Sequence, residues 1–101
     1  MSDHPFENTY DLSNEQLEML DEAEAEMLRN NLGRAEDILL AMLVEEEECI
    51  PVLNNLAHLY GRHFSDFEKA VELYNQVLEL EPDNSWARDA RRRYLRYVGR
   101  D

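Results

Sequence analysis

The sequence contains few of the residues that make tight turns and cross-links. Its 101 residues include three glycines, three prolines and a single cysteine, Cys49. Strands need more frequent turns than this supply allows, so the composition favours helices. One cysteine excludes an intrachain disulfide framework and a zinc site built from several cysteines, and it is typical of a reduced compartment.

Long apolar runs are also missing. No stretch approaches the roughly 20 apolar residues that a membrane-spanning helix needs. The first residues, Met-Ser-Asp-His-Pro, show neither the basic start nor the apolar segment of a signal peptide. We therefore expect a protein that makes no contact with membranes and resides in the cytoplasm.

Basic side chains are scarce in most of the chain. Lysine and arginine number 10 against 23 acidic residues, giving a formal net charge of −13. Residues 1–83 carry a net charge of −17, whereas residues 84–101, with six arginines and two aspartates, carry +4. An acidic body repels nucleic acid and anionic lipid, and it attracts a basic protein or peptide. The arginine-rich end either folds back onto the acidic body or attracts the nucleic acid and anionic lipid that the body repels.

Five helices are predicted from apolar spacing and from start and stop signals. Ser13-Asn-Glu-Gln16 has the form of a capping box, and so has Ser65-Asp-Phe-Glu68. Pro51 suits the first turn of the third helix, and Gly61 is expected to stop it. The second helix is expected over about residues 34–47 and the fifth over about 85–98, after Pro82-Asp-Asn84.

The first two helices repeat as the third and fourth after a shift of 32–33 residues. The pairs that superpose are Met27 and Tyr60, Ala35 and Phe67, Ile38 and Ala70, Leu39 and Val71, and Met42 and Tyr74. Helical hairpins that recur in this way are typical of a solenoid, in which each unit covers its neighbour.

The second unit resembles the tetratricopeptide repeat, whose pattern is W-x2-L-G-x2-Y, then A-x3-F, then P. Its matching residues read Leu53-x2-Leu56-Ala57-x2-Tyr60, then Ala70-x3-Tyr74, then Pro82. The stretch from Tyr60 to Phe67 is one residue longer than the common form. The resemblance implies an all-α fold of stacked antiparallel hairpins with about five helices. It divides the chain into a tail (1–11), one domain (12–98) and a short end (99–101), the domain comprising a degenerate repeat (12–48), a clear repeat (50–84) and a capping helix (85–98).

The resemblance also implies a concave groove, lined by the first helix of each hairpin, that binds a peptide or protein. Carried onto this chain, the groove face of the third helix shows four polar residues: Asn54, Asn55, His58 and Arg62. The first helix supplies an acidic wall from Glu22 and Glu26, together with Glu18. The lysines of the family's carboxylate clamp are absent, so a clamp for a peptide C-terminus is not expected.

The last helix carries aromatic and basic stripes. Trp86, Tyr94 and Tyr97 are expected to pack onto Tyr74, Val77 and Leu78. If exposed, they would form a docking patch with Arg88, Arg92 and Arg96, because aromatic residues and arginine dominate interface hot spots.

No catalytic, metal-binding or cofactor-binding motif is found. Cys49 has no histidine beside it, and His58 and His63 are five residues apart, which does not place them on one face of an α-helix. Glycine-rich phosphate loops and G-x-S-x-G elbows are absent from the sequence. We therefore expect a non-enzymatic, cofactor-free adaptor or chaperone-like module.

Two other functions compete with this one. The arginine-rich helix predicts association with nucleic acid, and a purely architectural subunit would need no groove ligand. Two hairpins also fall short of the roughly three repeats usually needed for independent stability, so self-association or completion by a partner is expected.

Overall fold

The computed structural model describes residues 10–99, and every regular element in that range is helical. The α-helices are α1 (Asn14–Leu28), α2 (Leu32–Glu45), α3 (Ile50–His58), α4 (Phe67–Leu80) and α5 (Ser85–Leu95). A π-helical turn over Leu59–His63, called the π turn below, continues α3. The predicted all-helical class with five helices is therefore confirmed.

The helices pack in the order in which they follow one another. α1 packs against α2, and α3 with the π turn packs against α4, so the chain forms two helical hairpins. α3 also contacts α2, which joins the hairpins, and α5 packs against α4. Residues 1–9 and 100–101, which include Phe6 and most of the predicted tails, lie outside the described residues.

The sequence signal for the start of α1 is confirmed. The Gln16 backbone N–H donates to Ser13 Oγ at 3.0 Å, and the Ser13 backbone N–H donates to Gln16 Oε1 at 2.9 Å. The second predicted capping box is wrong. Ser65 has a left-handed φ of 55°, and Asp66 is the residue that caps α4, accepting from the Lys69 N–H at 3.3 Å.

The prediction that Gly61 stops the third helix is wrong, because the chain stays helical through His63. The Phe64 backbone N–H donates to the Leu59 carbonyl at 3.2 Å, five residues back, which is the hydrogen bond of a π-helix. A π turn accommodates one more residue than an α turn, which accounts for the long stretch between Tyr60 and Phe67.

Gly61 is needed for a different reason. A Cβ atom added there would lie only 2.6 Å from Cζ of Tyr94. The glycine thus lets α5 approach the backbone of the π turn at closer range than any side chain would permit.

One core runs through both hairpins and reaches α5. Its most deeply buried large side chains are Leu39, Leu53, Leu56, Leu59, Tyr74, Val52 and Val77. Tyr94 of α5 joins it by stacking on Tyr74, with ring centroids 6.3 Å apart. Burying each such side chain contributes about 1.5–3 kcal/mol, so this shared interior is what holds the hairpins in register.

α5 buries a different stripe from the one expected. Ala87, Ala90 and Tyr94 are buried, whereas Trp86 is 65% exposed, so its predicted place in the core is wrong. The small alanines let α5 lie close to α4, and Trp86 falls beside that stripe rather than on it. Tyr97 is 53% exposed but stacks on Phe67 at 4.6 Å.

The segment before α1 packs against the core through Leu12 and is hydrogen-bonded to the end of α4. The Tyr10 hydroxyl donates to Glu81 Oε1 at 3.0 Å, joining the chain before α1 to the end of α4. Within residues 10–99, no helix combines the length and the apolarity that crossing a membrane requires.

Candidate partner-binding site

The four polar residues predicted on the third helix lie along α3 and the π turn. Asn54 and His58 are one helical turn apart and half-buried, and the exposed Arg62 follows in the π turn. Asn55 differs from them, because its side-chain N–H donates to the Pro51 carbonyl at 2.9 Å. Its amide group is therefore turned back onto its own helix.

Asn54 carries a buried polar atom that the described residues leave unsatisfied. Its Oδ1 atom is buried and accepts no hydrogen bond. Leaving a buried acceptor without a donor costs about 1–3 kcal/mol. A backbone N–H from a bound chain could remove that cost.

The π turn changes the relation between the two histidines. The rings of His58 and His63 lie 5.8 Å apart at an interplanar angle of 81°. The expectation that residues five apart do not share a face holds for an α-helix and is wrong here, since a π turn brings residue i+5 close to residue i.

His58 lies among basic groups. Burial is the largest cause that lowers the pKa of its imidazole. The other causes are its basic neighbours His63, Arg62 and Arg93. All the charged groups that act on His58 therefore disfavour its protonation.

Arg93 was not predicted as a groove residue, although a signal for it exists. His58 and Arg93 are each the ninth residue of their helix, counted from Ile50 and Ser85. If α5 is taken as the first helix of a further repeat, Arg93 occupies the position equivalent to His58. Equivalent positions of neighbouring repeats lie side by side, which would have placed Arg93 next to His58. In the sequence, Arg93 is distinguished from its neighbours only as one of the six arginines in residues 84–101.

The predicted acidic wall is engaged within the first hairpin. Arg34 of α2 lies 2.8 Å from Glu22 Oε1 and 3.2 Å from Glu26 Oε2. Glu26 is buried, and its second oxygen accepts from Arg29 at 2.7 Å. These two carboxylates therefore pair α1 with α2, and Glu18 is exposed.

The arginines of α5 fall into two groups. Arg91 donates to Asn75 Oδ1 of α4 at 3.0 Å, and its Nε is buried without a partner. Arg88, Arg92 and Arg96 are exposed. Among the described residues, neither Arg88 nor Arg92 forms an ion pair with the acidic body.

Cys49 is a buried free thiol that lies beside a pocket. Burial raises the pKa of the Cys49 thiol, and Glu46 raises it further, against a lowering hydrogen bond from the Val52 backbone. A pocket of about 180 Å³ lies beside Cys49, between Tyr10 and Pro51. An open concavity of about 410 Å³ lies at the other end of the hairpins, between the loop before α4 and Tyr97.

In the described part of the chain, no group of three or more histidine, cysteine, aspartate or glutamate side chains could hold a metal ion. Comparison with known proteins gives no relative: no family model matches the chain, and no curated protein matches its sequence.

Proposed function

We propose that the chain is a non-enzymatic protein-interaction module, an adaptor or chaperone-like protein of tetratricopeptide-like design. A peptide or protein partner lies along the face shared by α3 and α5. The repeat pattern of residues 50–84 and the stacking of two hairpins support this proposal.

The observation that carries the proposal is the set of unsatisfied polar groups on this face. Asn54 presents a buried oxygen without a donor, and His58 is surrounded by like charges. Buried polar groups without partners and like charges held close together are typical of a binding site.

The outer surface favours a partner that is basic overall. With a net charge of −13, the chain attracts basic proteins and repels acidic ones at distances beyond the contact. Such long-range attraction weakens with added salt, because the screening length is about 8 Å at physiological ionic strength.

The test is an affinity pull-down from the native cell extract with the wild-type chain and the double variant Asn54→Ala/His58→Ala. The wild type should capture a specific partner that the double variant loses. Gln76→Ala, an exposed change on α4, is the matched control and should keep the partner. Equal capture by all three proteins would contradict binding at this face.

Nucleic-acid binding through α5 is the second candidate. It is favoured by the exposure of Arg88, Arg92 and Arg96, since guanidinium groups pair well with phosphate. The net charge of −17 on residues 1–83 opposes it. The test is to titrate labelled RNA and labelled duplex DNA with the protein at low salt. If the signal of the labelled nucleic acid does not shift at protein concentrations of about tens of micromolar, this candidate is removed.

A purely architectural subunit is the third candidate. It would keep every interaction in the Asn54→Ala/His58→Ala variant. Because two hairpins are fewer than the usual number of repeats, we also propose completion by a second copy or by the partner. Sedimentation velocity tests this, and a rigid monomer at micromolar concentration would contradict self-association.

A further inference from the structure

Four basic side chains meet where α3, the π turn and α5 come together. They are His58, Arg62, His63 and Arg93, called the basic cluster below. The two imidazole rings are 5.8 Å apart, and Arg62 and Arg93 are both close enough to His58 to act on it electrostatically.

The fold holds this cluster together by contacts that do not involve its charges. Tyr94 lies against the backbone of Gly61, where a Cβ atom would come within 2.6 Å of the ring. Arg62 follows Gly61 and Arg93 precedes Tyr94, and each of the two arginines acts on His58 through its charge. The π turn adds His63 beside His58. Like charges are thus assembled by apolar packing and backbone geometry.

The basic cluster has no counter-charge within the described residues. Neither Arg62 nor Arg93 forms an ion pair there, and neither imidazole pairs with a carboxylate. Arg34, by comparison, has two carboxylates within 3.2 Å.

We propose that the basic cluster binds an anionic oxygen group of the partner, a carboxylate or a phosphate ester. Guanidinium groups donate paired hydrogen bonds that match the geometry of both groups, and imidazoles add further donors when protonated. This inference deepens the proposed function and rests on it for the identity of the bound chain. The partner is then basic where it faces the acidic outer surface and acidic where it enters the cluster.

The chemistry can be tested without knowing the partner. Inorganic phosphate and acetate are titrated separately into the full-length protein at about pH 6, with ionic strength held constant by sodium chloride. The carbon-bound proton signals of the histidine rings are followed by NMR. We expect a saturable shift at His58 and His63, and a pKa of His58 that rises when the anion is bound.

The two anions distinguish the source of the charge. If only phosphate shifts the histidine signals, the group that the cluster binds is a phosphate ester. If acetate shifts them, that group is a carboxylate. If neither anion produces a saturable shift beyond that of chloride, the inference is overturned.

Arg93→Gln should weaken the binding of the effective anion by roughly tenfold, because it removes one charge-assisted set of hydrogen bonds. Arg92→Gln is the matched control: it makes the same change one residue away, about 100° around α5, and should leave binding unchanged. Equal binding by the two variants would contradict the inference. The anion titration can fail while the Asn54→Ala/His58→Ala variant still loses its partner, so failure of this inference is distinguishable from failure of the proposed function.

Discussion

The two hairpins use their arginines in opposite ways. In the first, Arg34 lies between Glu22 and Glu26 and joins α2 to α1. In the second, Arg62 and, from α5, Arg93 disfavour protonation of His58, and neither arginine forms an ion pair within the described residues. Charges in the first hairpin therefore stabilise the fold, whereas those around the second oppose one another.

This difference indicates which surface is reserved for a ligand. Local conflicts that a fold tolerates are concentrated at functional sites, because selection for binding can outweigh a small loss of stability. Asn54 and His58 place such conflict on the α3–α5 face, whereas the ion pairs of the first hairpin join α1 to α2.

The largest effect is expected for Glu26→Ala in the first hairpin. The variant removes a buried carboxylate that accepts from Arg29 and Arg34, and it should lower the free energy of unfolding by about 2 kcal/mol. The loss of stability is smaller than for a fully buried ion pair because both arginines are more than 60% exposed. Glu18→Ala, an exposed change on the same helix, should stay within about 0.5 kcal/mol. Urea unfolding measures both, and equal values would refute a structural role for Glu26.

Gly61→Ala should cost about 1–3 kcal/mol, because the new methyl group would overlap the ring of Tyr94. Gly33→Ala in α2 is the control from the first hairpin, since nothing lies within 4 Å of its added Cβ. That change should stabilise the chain by about 0.5–1 kcal/mol. If the close contact with α5 is real, thermal unfolding should show a lower midpoint for Gly61→Ala and a higher midpoint for Gly33→Ala than for the wild type.

These two glycines show what the sequence could and could not predict. The five helices and the capping box at Ser13 follow from local spacing and local hydrogen-bonding chemistry. Gly61 was read as a helix stop because glycine commonly ends helices. Its actual role is set by Tyr94, 33 residues away, and no local pattern contains that information.

The candidate site was predicted in part for the same reason. Asn54, His58 and Arg62 follow from the repeat and lie together on one helix and its continuation. The proximity of His63 depends on the π turn, and that of Arg93 depends on how α5 packs. The only sequence signal for the π turn is the one extra residue before Phe67. Trp86 was predicted in the core because it is hydrophobic, although its position on α5 lies beside the buried alanines and not among them.

Two asparagines provide a smaller and sharper comparison. Asn84 caps α5 by accepting from the Ala87 N–H at 2.9 Å, so Asn84→Ala should cost about 1 kcal/mol. Asn54→Ala removes an oxygen that has no donor and introduces a better helix former, so it should raise stability by about 0.5 kcal/mol. Chemical denaturation compares the two. A loss at Asn54 as large as that at Asn84 would mean that Asn54 serves the fold and is not held for a ligand.

The smallest effect concerns the pH dependence of stability. In the folded chain the pKa of His58 lies below its ordinary value of 6.5, first because of burial and then because of its basic neighbours. As pH falls through 6.5, the unfolded chain takes up a proton before the folded chain does, so stability is lost and the loss levels off once folded His58 is also protonated. His58→Gln should therefore lose less stability than the wild type between about pH 8 and about pH 5.

The comparison isolates His58 because every other titrating group is common to both proteins. Thermal unfolding at constant ionic strength measures the difference, and parallel profiles for the two proteins would contradict a lowered pKa in the folded state. An anion that binds the basic cluster should raise the pKa of His58 and bring the wild-type profile closer to that of the variant. The pH profile of His58 therefore measures two things: the repulsion between His58 and its basic neighbours in the free protein, and the decrease of that repulsion when an anion binds.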